Sequence, residues 1–306
     1  MSPTTIVIGE NLVDLLVHPD RIEGVIGGGP LNVARTIARL GGDVSFLSGI
    51  SQDAFGVQIA DALRADGVNL VGSVTSPLPT TLAIVTMDEL SPKYHFHLNG
   101  TAAFAISAPV ENVPACMYLG TLGLLLEPMA SIGEAMIVNA DPSTVTIVDP
   151  NCRPSAVQDR DAFLARLSRL YGRTDVVKVS VEDLDYLSPE LSHVDAARAI
   201  LAAGATVVLV TDGPGPVRLI HADYDVTIPV PATEIVDTVG AGDSLTGGFI
   251  TWWLGHGAGR GELGDAELVT RAVAGAIEIS RRTCQQPGAQ PPFARDVTAL
   301  PEWNWL

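Results

Sequence analysis

The stretch "PLNVARTIARLGGDVSFLSGISQDAFGVQIADALRADG", residues 30–67, decides the architecture. Apolar residues at helical spacing over 30–41 give way to the short β-branched run "VSFLSG" at 44–49, and a second helical pattern follows over 55–67. Upstream stands another short apolar run, "TIVIG" at 5–9, so the order is strand, helix, strand, helix. That rhythm predicts βαβ units around a mostly parallel sheet. It resumes with "TVTIVDP" at 144–150, a helix over 159–171, "DVVKVS" at 175–180, a helix over 193–203 and "TVVLVTDG" at 206–213. The last quarter reads as helical over 241–254 and 265–283 and ends in a Pro-rich tail.

Between 72 and 104 the pattern changes. "TTLAIVTMDELSPKYHFHL" reads as two strands about an Asp/Glu/Ser/Pro turn, with Tyr94, Phe96 and Leu98 alternating onto one face. An insertion of strands inside an α/β chain predicts a small sheet projecting from the body, either a lid over a site or a dimer surface. With 306 residues, 47% hydrophobic and 17% charged, the chain can bury one large core, so a single domain over 1–306 carrying the 72–104 insertion is expected.

Thirty-five acidic residues against eighteen basic ones give a net charge of −17, which argues against nucleic acid or an anionic membrane surface as partner. "MSPTTIVIGENLVDLLV" lacks a basic leader and reads as a buried strand, and no uncharged apolar run reaches membrane-spanning length, so a soluble cytoplasmic protein is expected. Cys116, Cys152 and Cys284 are far apart and suggest neither a disulfide framework nor a zinc cluster. His95 and His97 share a strand face, a pattern more typical of surface or core than of metal ligands.

Glycine is concentrated in "DTVGAGDSLTGGF", residues 237–249. A dinucleotide fingerprint fails there because Leu245 stands where the third glycine belongs, and a phosphate loop of the GxxxxGK[ST] type fails because Lys93 and Lys178 are both remote in sequence. "GDSLTGG" also resembles the opening string of GDSL esterases, with Ser244 as nucleophile, yet the one later histidine, His256, has Trp253 rather than aspartate three positions before it. What survives is an anion site: Gly240, Ala241 and Gly242 at a helix N-terminus, where backbone N–H groups lack intrahelical partners and no side chain obstructs a phosphate. Asp243 in the first turn then either supports the helix dipole or serves as a catalytic base beside the anion. The surrounding N–H groups favour its ionised form, so a weak but always available base is expected.

"GGGPLNVARTIARLG", residues 27–41, adds a second glycine cluster before Pro30 and a helix carrying Asn32. Glycines there form a tight turn or admit a polyhydroxylated ligand to the backbone, and Asn32 offers both donors and an acceptor. Asp14 follows an apolar strand, where ligand contacts at the carboxyl end of a sheet arise. Asp14, Gly28, Gly29, Asn32 and Asp243 together suit sugar hydroxyls.

With these motifs the chain resembles the PfkB/ribokinase family of carbohydrate kinases nearly end to end. The N-terminal signature is "GGGPLNVARTIARLGGDVSFLSGISQDAFG", the C-terminal one "DTVGAGDSLTGGF", and "VDPNCR" 148–153, "VKVSVEDL" 177–184, "VTDGPG" 210–215 and "PGAQPP" 287–292 match in order. The resemblance implies a ribokinase-like three-layer α/β/α sandwich with a mostly parallel central sheet and a small β-sheet lid, and a homodimer through that lid. It implies ATP with magnesium, commonly aided by potassium, and phosphoryl transfer to a sugar hydroxyl. By position, Asp243 matches the family's base and Gly240, Ala241 and Gly242 its anion hole. Asp14, Gly28, Gly29 and Asn32 match sugar contacts, Thr211 and Gly213 the turn near ATP, Gly288 the C-terminal nucleotide and cation loop, and Asp237 the monovalent-cation neighbourhood.

Three departures stand out. The family's NxxE motif, tied to magnesium and its phosphate-bound water, becomes "SVED", Ser180 to Asp183, which shortens the acidic reach. Pro216 replaces a glycine near the nucleotide, and Ala103 an acidic residue in the lid string. "GENLVDLL", "DPNCR" and the lid string lean toward a neutral hexose such as fructose, with a 2-keto-3-deoxygluconate or ribokinase-type activity as the alternative. Arg153 would either meet an acid sugar's carboxylate or pair with an internal aspartate. A sensor that binds sugar or nucleotide without turnover is the alternative of another class.

Overall fold

The computed structural model describes residues 4–87, 92–107 and 113–306. In chain order the first half comprises β1 Thr5–Ile8, β2 Leu12–Val17, β3 Ile22–Gly27, α1 Gly29–Arg39, β4 Val44–Leu47, β5 Gly49–Ser51, α2 Ala54–Ala65, β6 Val74–Ser76, β7 Leu82–Met87, β8 Pro92–His97, β9 Cys116–Gly120 and α3 Met129–Val138. The second comprises β10 Val145–Asp149, α4 Arg160–Tyr171, β11 Val176–Ser180, α5 Val181–Leu187, α6 His193–Ala202, β12 Val207–Thr211, β13 Val217–Ile220, β14 Asp225–Ile228, α7 Ala241–Gly255, α8 Ala266–Cys284 and α9 Ala294–Val297.

Eight strands form the central sheet in the order β14-β13-β12-β11-β10-β9-β1-β4. The run from β12 to β4 is parallel, and β13 and β14 extend it antiparallel. Every residue of β1, β9 and β10 is buried, as a parallel sheet covered on both faces requires. Side-chain alternation then divides the core. Val7, Phe46, Tyr118 and Ile147 pack with α1, α2, α7 and α8 on one face. Ile6, Ile8, Leu119 and Val148 pack with α3, α4 and α6 on the other. The result is the three-layer sandwich. Trp252 and Trp253 of α7 are fully buried in the first layer, and a side chain of that size contributes at least the roughly 1.5–3 kcal/mol of a buried Leu or Phe.

The C-terminal glycines divide their work. A methyl group on Gly247 would stand 2.6 Å from Thr36 Cβ of α1, and one on Gly248 3.2 Å from Ala276 Cα of α8. These two glycines let α7 lie against both neighbours and do not touch the cleft.

The small sheet differs from the sequence expectation. It has four strands in the order β3-β2-β7-β8, so half of it comes from residues 12–27, outside the 72–104 insertion. β6 instead pairs with β5, and Ala102–Phe104 is a buried turn of 3-10 helix in the body. "TIVIGENLVDLLV" is therefore two strands in two sheets, interrupted where Asn11 donates to Ser48 Oγ and Gly49 O. The break falls at the polar pair Glu10 and Asn11, which are as buried as the apolar residues on either side. On β8, Tyr94 and Phe96 stack toward the body while His95 and His97 are exposed on the opposite face. Among the described residues no helix is long and apolar enough to cross a membrane.

Candidate active site

A cleft of about 700 Å³ runs along the carboxyl ends of the central strands, roofed at one end by the small sheet. Asp243 lies on its floor, in the first turn of α7. Gly240, the N-cap, has φ 76°, a left-handed backbone that glycine adopts without strain, and a methyl group there would stand 2.5 Å from Ala289 Cβ. Ala241 N–H closes a turn onto Thr238 O at 3.2 Å, whereas the N–H groups of Gly242 and Asp243 have no acceptor among the described residues. Of the three donors read from the sequence, Gly240 and Gly242 are without an acceptor among the described residues, Ala241 is engaged in the turn, and Asp243 adds a third free N–H.

Asn32 Nδ2 of α1 donates to Asp243 Oδ2 at 2.9 Å, and Asn32 Oδ1 is buried without a partner. Burial raises the Asp243 pKa above the ordinary aspartate range, against the opposing pull of the Asn32 hydrogen bond, Lys178 and Arg153. Desolvation therefore outweighs the Asn32 hydrogen bond and the two cations, which makes the carboxylate a stronger base than the helix-end position alone suggested. Ser244 is not a nucleophile, because its hydroxyl donates to Gly240 O within α7. His256 is stacked on Trp252 at the far end of that helix.

The sugar-type residues converge. Gly28 has φ 118°, and a methyl group on Gly29 would stand 2.7 Å from Thr121 Oγ1 and 3.2 Å from Asp243 Oδ1. Asp14 reaches the cleft from β2 of the small sheet, rather than from a loop beyond the main sheet, and Gly27 leaves room for its carboxylate. Burial pushes the Asp14 pKa up to about 6 against Arg153. Arg153 lines the same end and donates to Asn151 O and Cys152 O, with no carboxylate in ion-pair range among the described residues. The internal aspartate pairing considered from the sequence is therefore not seen among the described residues.

At the other end Thr211 and Gly213 line the cleft, the latter at φ 48°. Asp237 and Gly288 stand behind the wall: Asp237 accepts from Val239 N at 3.0 Å and from Gly288 N at 2.9 Å, tying two loops together. Ser180 lines the cleft, but Asp183 does not. Its oxygens accept from Cys152 N at 2.6 Å and Ser180 N at 2.8 Å, completing a capping box on α5. The third residue of a helix faces back to its own cap, so the carboxylate presented to the cleft is that of Glu182, one position earlier. No cluster of three or more metal-ligating side chains occurs among the described residues.

Sequence reasoning missed further cleft residues. Thr121 and Asn151, at φ 53° and 36°, are the two non-glycine residues with left-handed backbone among those described, and Asn151 Nδ2 donates to Thr121 Oγ1 at 3.1 Å. Strained backbone of this kind clusters at functional sites. Glu10, 1% exposed, accepts from Gly123 N at 3.1 Å. Burial pushes its pKa up to about 8, with Asp243 adding to the effect. Lys178 of β11 lies 3.2 Å from Asp149 Oδ2. Burial opposes its charge, but Asp149, Asp183 and Asp243 outweigh it and hold its pKa above the ordinary lysine value. "GEN" and "DPN" contain two of these residues; nothing in the spacing marked the lysine.

The family model described as pfkB family carbohydrate kinase matches residues 7–293. The fructokinase of Rhizobium leguminosarum bv. trifolii is 30% identical over 253 residues, covering 79% of this chain and 77% of that one. The crystal structure of Xylella fastidiosa fructokinase with bound ATP superposes with a TM-score of 0.85 at 26% identity, over 94% of each chain. Aminoimidazole riboside kinase from Salmonella enterica, 21% identical, shares the fold at a TM-score of 0.79 over 94% of each chain.

Proposed function

The chain belongs to the pfkB family of carbohydrate kinases, and on that premise we propose that it transfers the γ-phosphoryl group of ATP to a hydroxyl of a hexose, fructose in the first place. The observation that carries the reading is the buried Asn32–Asp243 pair beside the free N–H groups of Gly242 and Asp243. A carboxylate so placed can orient a sugar hydroxyl and take its proton, while the helix end holds the anionic group that receives the oxygen. Asn32 Oδ1, lacking a partner, accepts from a sugar hydroxyl, and Asp14, Gly28, Gly29 and Arg153 complete that end. Thr211 and Gly213 border the nucleotide. The fructokinase relatives support fructose over a riboside, since the fold is shared by both kinds of enzyme.

When bound, magnesium neutralises phosphate charge. Glu182 is the cleft carboxylate suited to its water shell, and Asp183 keeps the turn in place through its two backbone hydrogen bonds. A potassium ion near Asp237 and the Gly288 loop, a homodimer through the small sheet and a cytoplasmic location belong to the same proposal. Replacing potassium by sodium in the assay tests the first, and a monomer in sedimentation refutes the second.

A second reading is favoured by Arg153, whose guanidinium lacks a carboxylate partner among the described residues and would bind an acid sugar bidentately. The deciding experiment measures ADP release from Mg-ATP with fructose, 2-keto-3-deoxygluconate, ribose and aminoimidazole riboside, for the wild type and Asp243→Ala. Turnover with fructose that collapses in the variant supports the proposal; preference for the keto acid selects the second reading. ATP binding without turnover on any sugar would point to a sensor.

A further inference from the structure

Lys178 occupies a place that packing alone does not explain. It sits on β11 in the middle of the sheet, 6% exposed, yet its amine lines the cleft. A methyl group on Gly242 would stand 3.1 Å from Lys178 Nζ, so no side chain separates the ammonium from the first turn of α7. Its one ion-pair partner among the described residues is Asp149 Oδ2 at 3.2 Å, and no other acceptor is within hydrogen-bonding geometry. An ammonium has three donors, so at least two remain free. Asp149 is fully buried, and apart from the ammonium its oxygens have no hydrogen-bond partner among the described residues. Such a pair adds little to folding. What it does produce is a fixed cation with unused donors beside the anion-binding turn.

The charges around the cleft sharpen the point. Glu10, Asp14, Glu182 and Asp243 line it, in a chain of net charge −17. Three cationic side chains line it as well, at three different places. Arg153 stands at the sugar end with Asp14, and Arg281 at the nucleotide end, held by Glu278 and Ala232 O. Lys178 alone stands beside Gly242.

We propose that Lys178 is a catalytic residue whose ammonium contacts the transferring phosphoryl group opposite the α7 N-terminus, with Asp149 as its positioning residue; this rests on the kinase reading above. In the transfer the sugar oxygen bonds to the γ-phosphorus as the bond from that phosphorus to the β,γ-bridging oxygen breaks. The hydroxyl proton passes to Asp243, and the electron pair of the broken bond leaves on ADP. Negative charge is spread over the phosphoryl and bridging oxygens, where a preorganised cation in a water-poor site acts most strongly. Gly242 thereby acquires a second reason to lack a side chain.

The test compares wild type, Asp149→Asn, Lys178→Met and the double variant Lys178→Met/Asp149→Asn, which leaves no unpaired buried charge. Circular dichroism and melting establish folding, and kcat and both KM values are measured for ATP and sugar. The expected result is a folded double variant with kcat reduced by about 10²–10³-fold, the size found for loss of one transition-state donor, and sugar KM within a few-fold of wild type. A double variant with kcat within threefold of wild type would show that Lys178 merely neutralises Asp149 and would overturn the proposal, as would a rise confined to the KM for ATP. Should the double variant not fold, Lys178→Gln is read by the same criteria. Absence of turnover in the wild type itself would remove the kinase reading, and the proposal with it.

Discussion

Asn32 Nδ2 and Asp243 Oδ2 meet at 2.9 Å across 211 positions of chain, joining the first turns of α1 and α7. The hydrogen bond orients the carboxylate and opposes the rise in its pKa caused by burial. Because a base acts only when ionised, activity is lost as pH falls through the Asp243 pKa. Removing a contact that lowers that pKa moves the loss to higher pH. Asn32→Ala is therefore expected to shift the acid limb of kcat upward and to reduce its plateau roughly tenfold, the equivalent of one charge-assisted bond of about 1.5 kcal/mol. An unmoved acid limb would separate Asn32 from the base.

Asp243→Asn keeps the shape and removes the proton acceptor. The expected outcome is a kcat lower by about 10²–10⁴-fold with little change in sugar KM. The folded-state pKa of Asp243 is raised, so its charge disfavours the native state at neutral pH. The asparagine variant should melt no lower than wild type there, and a marked drop in melting temperature would point to a structural role for the carboxylate.

Glu10 gives a stability prediction with a defined window. Its pKa moves from 4.5 up to about 8, through burial first and Asp243 next. The native state therefore binds the proton more tightly, and the stabilisation from the protonated acid, complete below about 4.5, declines as pH rises toward 8. Glu10→Gln is expected to remain flat across that range and to exceed wild type in melting temperature at pH above 8. Parallel pH profiles for the two proteins would dismiss a buried neutral Glu10.

Gly240→Ala places a side chain at φ 76° and 2.5 Å from Ala289 Cβ. The left-handed backbone alone costs an L-residue about 1–2 kcal/mol, and the clash forces the turn to move. A lower melting temperature and a raised KM for ATP are expected, while Gly257→Ala, at φ 69° with nothing within 4 Å of the added methyl, should lose stability without affecting KM. Equal kinetics in the two variants would mean that the position of the 240–242 turn does not matter to nucleotide binding.

Asp14, Gly28, Gly29, Asn32 and Asp243, chosen from spacing and residue type, and Arg153, taken up from the family resemblance, all line one cleft. Local rules placed the former set because glycine before a helix and an aspartate in a first turn leave a mark within a few residues. Glu10, Thr121, Lys178 and Glu182 left no such mark. Lys178 is one apolar-flanked residue in a strand, and only the neighbouring strand supplies Asp149. The choice between Asp183 and Glu182 depended on a capping box, where backbone N–H groups of Ser180 and Cys152 take the carboxylate that the motif match had assigned to magnesium.

The sequence by itself determined the alternation of strand and helix, the buried parallel sheet and the identity of the two glycine-rich turns, since periodicity and backbone freedom are properties of neighbouring residues. The tertiary structure alone decided what surrounds each charge. The four-stranded small sheet, the Asn32–Asp243 bond, the placing of Arg153 beside Asp14 and the raised pKa values of Glu10 and Asp14 arise from segments brought together by topology. Desolvation is a sum over all atoms packed around a group, and most of those atoms are remote in the chain.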